Sequence, residues 1–129
     1  MELLSIISML ALIEYIVFGA RVGAARGKYG VRAPAIFGSE MFERHFRIHY
    51  NTLEQLIVFL PGLWIFGYYV GQLWAAGLGA IYLIGRIVYA VSYIRNPDSR
   101  GPGVLISMLP CWVLVLGALV GAAWKLVSG

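Results

Sequence analysis

Arg44, Arg47, Asn51 and Glu54 open an otherwise oily stretch of a 129-residue chain, at spacings of three, four and three. Such spacings stack side chains along one helical face. The chemistry available there is ionic. Guanidinium groups bind carboxylates and other anions, bidentately where geometry allows. A carboxylate takes an ammonium group, and an amide both donates and accepts. A second polar face follows downstream, where Arg86, Tyr89 and Tyr93 again stand three and four residues apart. Arg86 precedes Arg95 by nine residues, which places it about 13 Å below the end of its helix. With Arg26 and Arg100 from the basic connections, these residues are expected to form a hydrogen-bonding pocket at a membrane interface. The matching ligand is a small zwitterion with more than one carboxylate, meeting an oily substrate that arrives through lipid. A network of ion pairs between helices satisfies the same residues. Arg47 and Glu54 lie about 10 Å apart along one helix, too far for a direct pair within it.

The elements that must position these groups are apolar. Hydrophobic residues make up 60% of the chain and charged residues 12%, and mean hydropathy is +0.81. A water-soluble domain of this length needs more polar surface. The net charge of +4 does not form a nucleic-acid footprint, because the basic residues concentrate in short segments flanking apolar spans. Four spans are predicted, at about residues 3–20, 41–70, 73–94 and 104–124. A bilayer crossing takes about 20 residues, so one all-α membrane domain, 1–129, accounts for nearly the whole chain. No cleaved leader is expected, since Met1 and Glu2 lack a basic start. The first connection is expected to hold Arg21 at its start, then Arg26, Lys28 and Arg32, and the third Arg95 and Arg100. The positive-inside rule puts both in the cytoplasm.

The first connection is expected to run over residues 23–40, because Gly27, Gly30, Pro34 and Gly38 argue against a continuous helix. Pro97 and Pro102 predict a defined turn in the third, with Gly103 supplying flexibility before the last span. Gly19/Gly23, Gly67/Gly71 and Gly117/Gly121 form Gly-x-x-x-Gly pairs, candidate contact faces. Glu14 lies inside span one, as a proton site or as partner to a buried arginine. Cys111 stands alone in an apolar run, with no intrachain disulfide available and burial expected. His45 and His49 share a face but lack the remaining ligands of a His-Glu-x-x-His site, so no metal is expected. The four tryptophans are expected to pack or to anchor at interfaces.

The run from Phe42 through Glu43, Arg44, His45, Phe46, Arg47, Ile48, His49, Tyr50, Asn51, Thr52 and Leu53 to Glu54 resembles the hallmark of the MAPEG family, the membrane-associated proteins in eicosanoid and glutathione metabolism. Residues 86–93, followed by Arg95 and Arg100, resemble that family's third span and following loop. The resemblance covers essentially the whole chain. It implies a homotrimeric, all-α, integral membrane four-helix bundle with glutathione as co-substrate, bound between neighbouring subunits near the cytoplasmic face. It implies glutathione-binding roles for Arg47, Asn51 and Glu54 on span two, for Arg86, Tyr89 and Tyr93 on span three, and for Arg26 in loop one. Arg100 matches the arginine proposed to activate the thiol in the cysteinyl-leukotriene synthase branch, and Tyr93 is expected to assist it. Gln55 stands where that synthase has a tyrosine, and His49 where it has a glutamine, so the lipid substrate is expected to differ. The expected function is a membrane-bound glutathione transferase or peroxidase acting on lipophilic electrophiles or lipid hydroperoxides. The expected location is a bacterial inner membrane or the endoplasmic reticulum. A non-catalytic lipid-binding or scaffold protein of the same fold is the alternative.

Overall fold

The structure is a computed structural model describing residues 1–129. It contains four helices and no strand: α1 (Glu2–Tyr29), α2 (Glu40–Tyr69), α3 (Gln72–Arg95) and α4 (Gly101–Ser128), with a single 3-10 turn at Pro97–Ser99. The central pair is α2 and α3; α1 and α4 pack on that pair rather than on each other. Three helices, α1, α3 and α4, are long and apolar enough to cross a membrane. The first half of α2 carries the polar stripe, which dilutes its hydropathy.

One core cluster draws on all four helices, including Leu4, Phe59, Leu63, Phe66, Tyr82 and Leu114. Tyr82 stacks on Phe59 with ring centroids 3.8 Å apart, and Trp64 Nε1 donates to Ser8 Oγ at 2.8 Å. Outward faces are apolar: Trp74, Trp124 and Leu126 are more than 70% exposed. Lipid tails are as apolar as leucine, so such faces need no protein cover, and helix association rests on close packing instead.

Two sequence expectations change here. The first connection is shorter than the glycines suggested, because α1 continues to Tyr29, through Gly23 and Gly27. Glycine costs a helix roughly 1 kcal/mol each, but the extension buries Val22 and Ala25 against Phe42 and Val31. Arg21, Arg26 and Lys28 therefore ride on a helix. Gly30 ends it in the left-handed conformation, φ 69°, which glycine adopts without steric penalty. Ser39 then starts α2, its Oγ accepting from Phe42 N, while Glu40 and Glu43 favour the positive end of the helix dipole.

Gly103 is likewise not a hinge. It lies within α4, buried, where a Cβ would sit 2.4 Å from Tyr89 Cα. Gly85 makes the reciprocal approach, with a Cβ position 2.6 Å from Ser107 N. Among the Gly-x-x-x-Gly pairs, only Gly117/Gly121 has both members against another helix, on Phe66 and Tyr69 of α2; Gly23 meets nothing within 4 Å.

Candidate functional site

The third connection sets the site's rim. Asn96 caps the 3-10 turn by accepting from Asp98 N at 3.1 Å, and Ser99 Oγ donates to the carbonyls of Asn96 and Ser92. That compact turn delivers Arg100, whose Nη1 is steadied by Pro97 O at 2.8 Å. Arg100 then faces a cavity of about 440 Å³ lined by Arg47, Tyr50, Asn51, Glu54, Tyr89, Tyr93, Arg100 and Val104. Three helices thus contribute to one polar concavity, of a size that suits a small ligand.

The charges facing this cavity are not consumed by one another. The only ion pairs in the chain join Met1 to Glu2 and Arg44 to Glu40. Arg47 and Glu54 are both exposed, and neither takes part in an ion pair or a side-chain hydrogen bond. Within a single chain, the pairing that would have made the stripe purely structural does not form. Tyr89 is buried and tilts against Tyr93 at 5.6 Å between centroids, so the two rings form one wall.

Arg86 sits behind that wall rather than in it. It is 1% exposed. Its Nη2 donates to Asn51 Oδ1 at 2.9 Å and to Thr52 Oγ1 at 2.8 Å, and its Nη1 reaches Ser107 Oγ at 3.4 Å. The guanidinium also lies over the Tyr89 ring, 4.4 Å from its centroid. Arg86 therefore orients Asn51 and Tyr89, which do line the cavity. Thr52, Ser107 and Tyr50 were not singled out from the sequence. Thr52 and Tyr50 flank Asn51 within the motif, a usable signal; Ser107 meets Arg86 only through the α3–α4 crossing.

Two arginines of the sequence reading go elsewhere. Arg26 Nη1 donates to Ala35 O at 2.7 Å, with its guanidinium 4.8 Å from the centre of the Phe42 ring. It braces loop one and does not line the cavity of its own chain. Arg44 Nη2 bonds Glu40 at 2.6 Å, and its Nη1 donates to Ile94 O at 2.8 Å. That carbonyl belongs to the last turn of α3, where cations are favoured, so Arg44 ties α2 to α3 beside a neighbouring cavity of about 390 Å³. Glu14 makes no ion pair. His49 stacks on Tyr15 at 4.3 Å, and His45 lies near Phe18 and Arg21. Both histidines face α1, on the far side of α2 from the cavity.

A third cavity continues the same α2–α4 face. It measures about 260 Å³ and is lined by Gln55, Val58, Met108, Cys111, Trp112 and Val115. Gln55 follows Glu54, and Met108 lies one helical turn beyond Val104, so the polar and apolar cavities are consecutive along the two helices. Cys111 is buried at 3% exposure, as expected of an unpaired cysteine in an apolar run.

Comparison with known proteins identifies the family. The MAPEG family model matches residues 4–120. An uncharacterized protein of Synechocystis is 48% identical over 95% of this chain and 89% of its own length. Human microsomal glutathione S-transferase 2 is 38% identical over 93% of this chain and 80% of its own. Rat leukotriene C4 synthase is 32% identical over 98% and 85% respectively.

Proposed function

The chain belongs to the MAPEG family, and on that premise we propose that it is an integral membrane glutathione transferase, with peroxidase activity open to the same site. The observation that carries this reading is the cavity where Arg47 and Glu54 present opposite, unpaired charges beside Asn51, Tyr93 and Arg100. Glutathione carries two carboxylates, one ammonium group and a thiol. Arg47 takes a carboxylate, Glu54 the ammonium group, and Asn51 with the tyrosine hydroxyls takes the peptide amides. Arg26, committed to loop one in its own chain, is available only to a neighbouring subunit in a trimer.

The thiolate is the nucleophile, not the thiol. Lowering a thiol pKa by about two units requires roughly 2.7 kcal/mol of preference for the charged form. A guanidinium at a poorly hydrated interface supplies an interaction of that order. Arg100 fills this role, with Tyr93 adding a hydrogen bond. The thiol proton leaves to solvent, sulfur bonds to the electrophilic carbon, and the leaving group departs with its electron pair. In the peroxidase variant the sulfur attacks a hydroperoxide oxygen, the O–O bond breaks and the alcohol leaves, and a second glutathione thiol displaces water from the resulting sulfenic acid to form the disulfide. The apolar cavity beyond Gln55 supports an oily partner that arrives between helices α2 and α4. Holding both reactants together is itself a large share of the rate.

The assembly is a homotrimer, and the connections bearing Arg32 and Arg100 face the cytoplasm. The membrane is a bacterial inner membrane or the endoplasmic reticulum. Ultraviolet difference absorption of the purified protein with glutathione tests the chemistry. A thiolate band in the wild type that disappears in Arg100→Ala is expected. A band that persists in the variant removes Arg100 from the role. No turnover with a chloronitrobenzene, an epoxide or a lipid hydroperoxide would leave a non-catalytic lipid-binding protein.

A further inference from the structure

Arg86 is a buried cation whose direct protein partners are all neutral. Asn51, Thr52 and Ser107 accept from its two terminal nitrogens, and its Nε meets no protein acceptor. Two other buried polar atoms are in the same position: Glu14 Oε1 on α1 and the Tyr82 hydroxyl on α3. Of the four such atoms in the protein, only Arg44 Nε lies elsewhere. A lone charge within a membrane helix is costly, and buried polar groups that lack a protein partner are ordinarily satisfied by internal water.

The helix register brings these three atoms to one level. Helices α1 and α3 run parallel and in contact. Gly79 packs on Ile7, and farther along Ala90 shares a buried cluster with Phe18. The same offset separates residues 7 and 79, 18 and 90, and 14 and 86. Glu14 is therefore opposite Arg86, between the two contacts, and Tyr82 is one turn back on the Arg86 face. Glu14 also borders a groove between α1 and α3 lined by Leu10, Leu83 and Ile87, while its Oε1 is buried. Glu54, within a turn of Asn51 on α2, lines the site cavity instead.

We propose that Glu14 is the counter-charge of Arg86, joined to it and to the Tyr82 hydroxyl through internal water, and that it is thereby a positioning residue for the cavity wall. The link runs from Glu14 on α1, through Arg86 on α3, to Asn51 on α2. It fixes the guanidinium rotamer that holds Asn51 and supports Tyr89. The link itself stands on the apoprotein alone; its effect on glutathione rests on the function proposed above.

The test is a double-mutant cycle on the melting temperature of the detergent-solubilised apoprotein, using Glu14→Gln, Arg86→Gln and the double variant. Coupled groups give non-additive losses: each single change lowers the melting temperature, and the double variant recovers part of the loss. Tyr82→Phe adds a test of sign. If the hydroxyl is truly without a partner, removing it raises the melting temperature; if it holds the shared water, removal lowers it. Steady-state kinetics of Glu14→Gln should show a rise of about fivefold or more in the glutathione KM, the low end of ordinary coupling between sites, and a smaller change in kcat. Additive losses together with a stabilising Tyr82→Phe would overturn the link. A non-additive cycle with an unchanged KM would overturn the positioning role and keep the water-mediated link between Glu14 and Arg86. Wild-type protein that binds no glutathione would sink the proposed function, and the cycle would still decide whether Glu14 and Arg86 are joined.

Discussion

Gly103→Ala should do more damage than any other single methyl added near the site. The new Cβ would lie 2.4 Å from Tyr89 Cα, 2.5 Å from Tyr89 N and 2.9 Å from Tyr89 Cβ. Ordinary contact begins at 3.4 Å, so α3 and α4 must separate by at least 1 Å at this level. The obstacle is backbone and cannot rotate aside. Gly85, packed on Ser107 N in the same crossing, leaves no slack to absorb the shift. Overpacking of this kind costs about 1–3 kcal/mol, a fall of roughly 3–15 °C in melting temperature for a chain of this size. Function should suffer separately. Tyr89 lines the cavity and Arg100 precedes Gly103 by one turn, so both walls move apart, and a 1 Å displacement in a binding site can cost up to about 100-fold. Gly101→Ala is the control, because a Cβ there meets nothing within 4 Å; it should stay within about 1 kcal/mol of wild type. Melting followed by circular dichroism, with glutathione titrated by calorimetry, reads both effects. A Gly103→Ala protein that melts and binds like wild type would show that α3 and α4 are not in backbone contact at Tyr89.

Arg47→Ala removes a charged partner from the cavity, worth about 1.5–3 kcal/mol, and should weaken glutathione association roughly 10- to 100-fold; unchanged calorimetric affinity would remove Arg47 from the site. Thr52→Val keeps shape but deletes the Oγ1 acceptor 2.8 Å from Arg86, and should cost about 1–3 kcal/mol in denaturant unfolding. Trp64→Phe loses the 2.8 Å bond to Ser8 and should cost about 1 kcal/mol by the same measurement, without changing glutathione affinity, since neither residue borders the cavity.

Much of this protein was legible before any coordinates. The apolar runs made a helical membrane bundle the only economical reading, because buried backbone in lipid must be satisfied within each segment. The helical spacing of Arg47, Asn51 and Glu54, and of Arg86, Tyr89 and Tyr93, put each set on one face of its own helix. The misreadings of helix continuity had a common source: glycine. Gly27 and Gly103 look like breaks when judged by propensity, which is a weak prior that packing overrides. In the structure one rides within a helix extension held by Val22 and Ala25, and the other marks the closest approach of two helices.

Residue order alone determined which side chains share a helical face and how deep each sits, since 3.6 residues per turn and 1.5 Å per residue are properties of the chain itself. It could not determine which faces touch, because that depends on how helices distant in sequence cross. Only the tertiary arrangement decided that Arg86 turns inward to Asn51, Thr52 and Ser107 while Arg47 stays free. The same arrangement committed Arg44 to the end of α3 and set Glu14 opposite Arg86 across two parallel helices.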